Sequence, residues 1–144
     1  MIAQLFNFRG GIKPASHKSE SAGVPIRSVP LPSRLVVPLR QNARSVAHPI
    51  VEVGQKVLKG ERIGEAEGPL GTAVHAPTSG TVVEITPYPM AHPSGLSTHC
   101  VVIEPDGEEH WAQLHGVDHR AAPRADVLAF LRDSGIVGMG GAAF

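Results

Sequence analysis

The sequence predicts a mainly β chain with an extended N-terminal arm and one C-terminal helix that runs into a glycine-rich loop. Three observations carry this expectation. Residues 1–34 are crowded with Pro, Ser and Gly, residues 35–122 hold short apolar or alternating runs bounded by Gly and Pro, and from Pro123 onward the apolar spacing changes to that of a helix. A chain of 144 residues holds one domain of ordinary size plus a tail, so one main core is expected.

In the arm, Gly10-Gly11, Pro14, Pro25, Pro30 and Pro32 follow one another too closely for a long helix. Strands are then expected at Leu35-Val36-Val37, Ile50-Val51-Glu52-Val53, Thr81-Val82-Val83-Glu84-Ile85 and Cys100-Val101-Val102-Ile103-Glu104. Between them, Gly54 and Gly60 each have an apolar residue three places on, Val57 and Ile63, and His75-Ala76-Pro77-Thr78-Ser79-Gly80 turns into the strand at Thr81. Asp106-Gly107 is a turn signal after the last strand. Trp111, the only tryptophan, is read as an apolar anchor closing one end of the β unit. In residues 123–144, Pro123 suits a first helical turn, Val127, Leu128 and Leu131 fall at i, i+1 and i+4, and Gly135 is a natural stop. Roughly three turns of helix then deliver Ile136-Val137 into Gly138-Met139-Gly140-Gly141-Ala142-Ala143-Phe144.

Several function classes are disfavoured by composition. With 13 Lys+Arg against 13 Asp+Glu and 4% aromatic residues, the chain has neither a basic excess for nucleic-acid phosphates nor many stacking platforms, so no nucleic-acid partner is expected. The single cysteine, Cys100, supports no disulfide framework and no cysteine-ligated cluster built from this segment alone. No window approaches the ~20 apolar residues of a membrane span, and Met1 to Gly11 lacks the pattern of a signal peptide. The expectation is a soluble, cytoplasmic segment, for which contact with a membrane complex would run through other subunits.

The polar residues give no catalytic or metal assignment. Among the eight histidines only His115 and His119 stand at helical spacing, and Gly116 between them and Pro123 beyond work against a helix there. Cys100 and His99 are neighbours on an expected strand and so point to opposite faces, which favours a buried structural thiol over a nucleophile with its base. Glu65 and Glu67 would share a face of an extended stretch, but their Gly and Ala neighbours make no apolar pocket, so a solvated edge is expected.

The terminal glycines suit a phosphate, because a residue without Cβ lets backbone N–H groups approach an anion closely. Neither a following helix nor an acidic ribose ligand is present, so the remainder of any nucleotide site is expected on residues beyond this chain. A glycine cluster alone fits an ordinary flexible terminus better. The surrounding motifs decide between the two.

The glycine-punctuated segment 53–64, followed by the Ala76-Pro77-Thr78-Ser79-Gly80 turn, resembles the lipoyl/biotinyl barrel-sandwich hybrid. Carrier domains of that type place a modifiable lysine at a hairpin tip, and the pattern puts Pro69 or Leu70 there; no lysine follows Lys59. The architecture is therefore expected without the carrier chemistry, as a platform. Over nearly the whole chain the order of motifs resembles the N-terminal part of the RnfC subunit of the Rnf electron-transport complex: Gly10-Gly11-Ile12-Lys13-Pro14, His17-Lys18, Val37-Pro38-Leu39-Arg40-Gln41, Val53 to Val57, His75 to Gly80 and the terminal loop. Lys13 stands where that family usually has His, and Ala143 where Gly is common.

The resemblance implies that the loop opens a flavin- and NADH-binding domain similar to that of the NADH-binding subunit of respiratory complex I. It places Gly138, Gly140, Gly141 and Phe144 as a partial cofactor-binding site. For a full-length protein it implies FMN, NADH and two [4Fe-4S] clusters, other subunits of a membrane electron-transport complex as partners, and a peripheral position on the cytoplasmic side of the inner membrane. The 144-residue chain alone is expected to be a structural and docking portion without activity. Two other classes stay open, a degenerate carrier-type binding module and a stand-alone adaptor acting through the Pro-rich arm.

Overall fold

A computed structural model describes residues 15–42, 45–68 and 71–138. Two compact units divide the chain at Pro30. In the first, residues 15–30 are exposed throughout, and a single helical turn, α1 (Ser19–Ala22), is the only regular element described. That turn departs from a wholly extended arm. Residues 15–24 contain no proline, which leaves room for one turn, and His17 Nδ1 lies 2.8 Å from Glu20 Oε1 across it. From Val24 to Pro30 the chain has neither helix nor strand, and Ile26 and Val29 are fully or almost fully exposed.

The second unit is a β domain with one helix. Strands β1 (Leu35–Pro38), β2 (His48–Pro49), β3 (Lys56–Val57), β4 (Arg62–Glu65), β5 (Val74–His75), β6 (Gly80–Pro89) and β7 (Ser97–Pro105) precede α2 (Arg124–Asp133). They form a four-stranded sheet in the order β1-β7-β6-β3 and a three-stranded sheet in the order β2-β4-β5, antiparallel at every pairing. The long β6–β7 hairpin is the spine. Its register shifts between Val82 and Glu84, a bulge of the kind that bends and twists a strand, and the sheet curls into a half-barrel.

One apolar cluster joins the two sheets. The first contributes Val37, Val57, Val82, Val101 and Ile103, the second Ile63 and Val74, and the connections Leu39, Ala47, Val51 and Ala76. Along β7, Cys100 to Ile103 are all buried, so the strand reads as a continuous apolar run because it is covered on both faces. This is the mainly β, barrel-sandwich architecture expected from the glycine-punctuated pattern, with the C-terminal helix after it.

Three of the four expected strands are present. Ile50-Val51-Glu52-Val53 is not one: the pairing stops at Pro49, and only Val51 of the four turns inward. Gln55 explains the difference. Its side-chain oxygen accepts the Glu52 N–H at 3.0 Å while its own N–H donates to the Glu52 carbonyl at 3.1 Å, which folds residues 52–55 into a turn and ends the alternation.

The His75–Gly80 segment is fixed from within. Thr78 and Ser79 are fully buried, and the Ser79 hydroxyl donates to Asp106 Oδ1 at 2.7 Å while accepting the His110 N–H at 3.0 Å. The Glu108 N–H also reaches Asp106 Oδ1, at 2.9 Å, which closes the Asp106-Gly107 turn. These two bonds, that from Ser79 first, hold the Asp106 carboxyl below the usual carboxylate range. Among the described residues no helix is long and apolar enough to cross a membrane.

Candidate functional site

The glycine-rich loop follows α2 in the sequence, and the geometry at the end of the helix is set by local residues. Gly135 adopts a left-handed φ of +68°, its N–H donates to the Arg132 carbonyl at 3.1 Å, and the Ile136 N–H donates to the Leu131 carbonyl at 3.1 Å. This is a Schellman ending, which satisfies carbonyls left without partners by the last helical turn and favours glycine at that position. Pro123 precedes the helix with φ −56° and ψ 144°, and its carbonyl accepts the first helical N–H groups, from Asp126 and Val127.

The C-terminal end of α2 is bonded to the β4–β5 hairpin. The Ala73 N–H donates to the Arg132 carbonyl at 3.0 Å. The Arg132 guanidinium reaches back to the hairpin turn, donating from Nη2 to the Gly68 carbonyl at 2.8 Å and from Nε to the Gly71 carbonyl at 3.5 Å. Arg62 on β4 lies 3.8 Å from Asp133. His75 sits beneath Gly135, so closely that a Cβ added there would lie 3.2 Å from Nδ1 and 2.9 Å from the Ala73 carbonyl. Burial lowers the His75 pKa, with Arg62 adding to the effect and Asp133 opposing it.

Trp111 is joined to the fold by a parallel bridge to Lys59. The Lys59 N–H donates to the His110 carbonyl at 2.8 Å and the Ala112 N–H to the Lys59 carbonyl at 2.9 Å. The indole lies over Gly60, and the Lys59 ammonium stands 5.2 Å from the ring centroid, held there by both oxygens of Glu109 at 2.9 Å. Trp111 is thus held at the edge of the β unit, but it does not close that end as the sequence suggests. It is not closed over, since Trp111 keeps 60% of its surface exposed.

Of the residues singled out as a partial cofactor site, Gly138 is exposed at the end of the described chain, and Gly140, Gly141 and Phe144 lie outside the described residues, as do Pro69 and Leu70. Cys100 is buried, its thiol donating to the Thr98 carbonyl at 3.3 Å, and burial raises its pKa, which suits a structural role. Glu65 and Glu67 are both away from the core; Glu67 lies 3.2 Å from His48 Nε2. No group of three or more His, Cys, Asp or Glu that could hold a metal ion occurs among the described residues.

Sequence reasoning missed Arg132 and His75 as the residues that set where the loop begins. A basic residue in the last helical turn was a visible signal for Arg132, but its partners stand some 60 residues away in the chain.

Comparison with known proteins is consistent across the chain. Over 142 residues, 98% of this chain, it is 42% identical to proteins named as the C-subunit of an ion-translocating oxidoreductase complex from Serratia proteamaculans and Salmonella newport. The protein of the same name from Pseudomonas aeruginosa is 44% identical over 144 residues. The chain spans about a fifth of the length of these relatives. Residues 6–108 match the family described as the RnfC barrel sandwich hybrid domain, well over half of the chain, and the chain belongs to that family.

Proposed function

We propose that this chain is the barrel-sandwich portion of the C-subunit of an ion-translocating oxidoreductase complex, serving as the structural and docking platform of an electron-transfer subunit. The observation that supports this best is the 42–44% identity along essentially the whole chain to proteins of that name. In this reading residues 1–34 form an arm, 35–122 the platform, and 123–144 the helix and first loop of a flavin- and NADH-binding domain. When bound, FMN would accept hydride from NADH and pass electrons on to [4Fe-4S] clusters carried elsewhere in the longer subunit. This chain would contribute backbone N–H groups at Gly138, Gly140 and Gly141 and the ring of Phe144 to the flavin site. The Schellman ending of α2 and the Arg132 bonds fix where that loop begins. The subunit would sit peripherally on the cytoplasmic side of the inner membrane, held by other subunits of the complex.

The test compares the 144-residue chain with the gene product that contains it, both supplied with FMN, NADH and ferricyanide. The longer product is expected to oxidise NADH, and the 144-residue chain to show only the rate of free flavin. NADH oxidation by the short chain above that background would overturn the platform role. Peptides from the membrane fraction should continue past Phe144; a native product ending there would favour a stand-alone adaptor instead.

A further inference from the structure

Helix α2 has no buried residue, although its C-terminal end is bonded to the β4–β5 hairpin. Its apolar side chains fall on one broad stripe: Val127 and Phe130 are half-buried, and Leu128 and Leu131 are 49% and 36% exposed. The stripe continues past the Schellman turn into Ile136 and Val137, also exposed. The bonds that join the helix to the hairpin lie in its last turn: the Arg132 and Ala73 bonds and the Arg62–Asp133 pair. Helices of this length depend on burying an amphipathic face, and Leu128 and Leu131 of this face stay exposed.

Trp111 makes a second exposed apolar site beside the same hairpin. It is exposed yet fixed, by the backbone bridge to Lys59, by the ring's seat on Gly60 and by the Lys59–Glu109 pair beside it. Leu114, 66% exposed, lies against the same glycine. The Gly60 N–H donates to the Ala76 carbonyl, and Gly135 rests on His75, so the two sites sit at adjoining positions of the hairpin. A rigid, half-exposed tryptophan beside apolar neighbours is what the centre of an interface provides.

We infer that Leu128, Leu131, Ile136, Val137, Trp111 and Leu114 form one contact face, and that its occupant is the polypeptide that follows residue 144 in the full-length subunit. The inference rests on the reading of this chain as part of a longer C-subunit. Its relatives are about five times as long, so a large domain's worth of chain accompanies this one. Gly138, where the described residues end, directly follows Ile136 and Val137 of the stripe. Through Trp111 and Leu114 that contact ties the platform to the domain after it.

Hydrogen exchange read by mass spectrometry on the 144-residue chain and on the gene product that contains it tests this. Peptides covering 108–115 and 124–137 are expected to exchange at least about tenfold more slowly in the longer product, with β6–β7 peptides unchanged. The double substitution Leu128→Glu with Leu131→Glu, at exposed positions, should remove that protection while leaving the urea midpoint of the short chain in place. Equal exchange in both proteins would overturn the inference, as would a native product that ends at residue 144. Protection that arises in the short chain with rising concentration would assign the face to a second copy, and protection only on adding other subunits would assign it to one of them; either overturns it. NADH oxidation by the longer product reports on the function separately, so loss of one result leaves the other standing.

Discussion

Gly60 shows how much one residue carries. Its φ of +78° costs an L-residue about 1–2 kcal/mol, and an added Cβ would lie 3.0 Å from Trp111 Cζ3. Gly60→Ala is accordingly expected to lower stability by at least about 1–2 kcal/mol and to shift the emission of the single tryptophan, both read in one urea titration by fluorescence. In the core, Ile63 is fully buried between the sheets, and Ile63→Ala should cost about 2–5 kcal/mol by the same titration. The glycine punctuation at 54 and 60 was legible in the sequence because tight backbone geometry leaves only glycine as a cheap choice. That Gly60 also makes room for a ring 51 positions further on was not, since nothing local to either residue encodes the pairing.

At the scale of elements, α2 was the most legible, because everything that specifies it is local: a proline before it, apolar residues on one face and a glycine after it. Ile50–Val53 was misleading for the opposite reason, a strand-like run cancelled by a side chain two residues beyond it. Gly135→Ala is expected to disrupt both the Schellman ending and the seat on Ala73 and His75, and to speed hydrogen exchange of Ala73 and of residues 131–136. His75 makes the same joint sensitive to acid. Burial lowers its pKa in the folded chain, so between the folded and unfolded values the unfolded chain binds the extra proton. The contribution to stability is complete above the ordinary histidine pKa of about 6.5 and is lost as pH falls through the folded value. Urea midpoints at pH 7.5 and pH 5 should therefore differ more in the parent chain than in His75→Gln; equal differences would show that His75 does not carry this sensitivity.

For the whole molecule, the fold class was legible and the assembly of the loop's launch point was not, because the contacts among Arg132, Gly68, Gly71 and His75 link distant parts of the chain. The domain resembles carriers without a carrier's lysine, and coexpression with biotin or lipoate ligase is expected to leave its intact mass unchanged. In a carrier that hairpin tip is the part that travels. Here Gly68 and Gly71, on either side of that tip, are tied by Arg132 to α2. The Arg132 guanidinium and the Ala73–Arg132 backbone bond together join the end of α2 to the β4–β5 hairpin and so to the core, and a hairpin that elsewhere moves cargo is here moored.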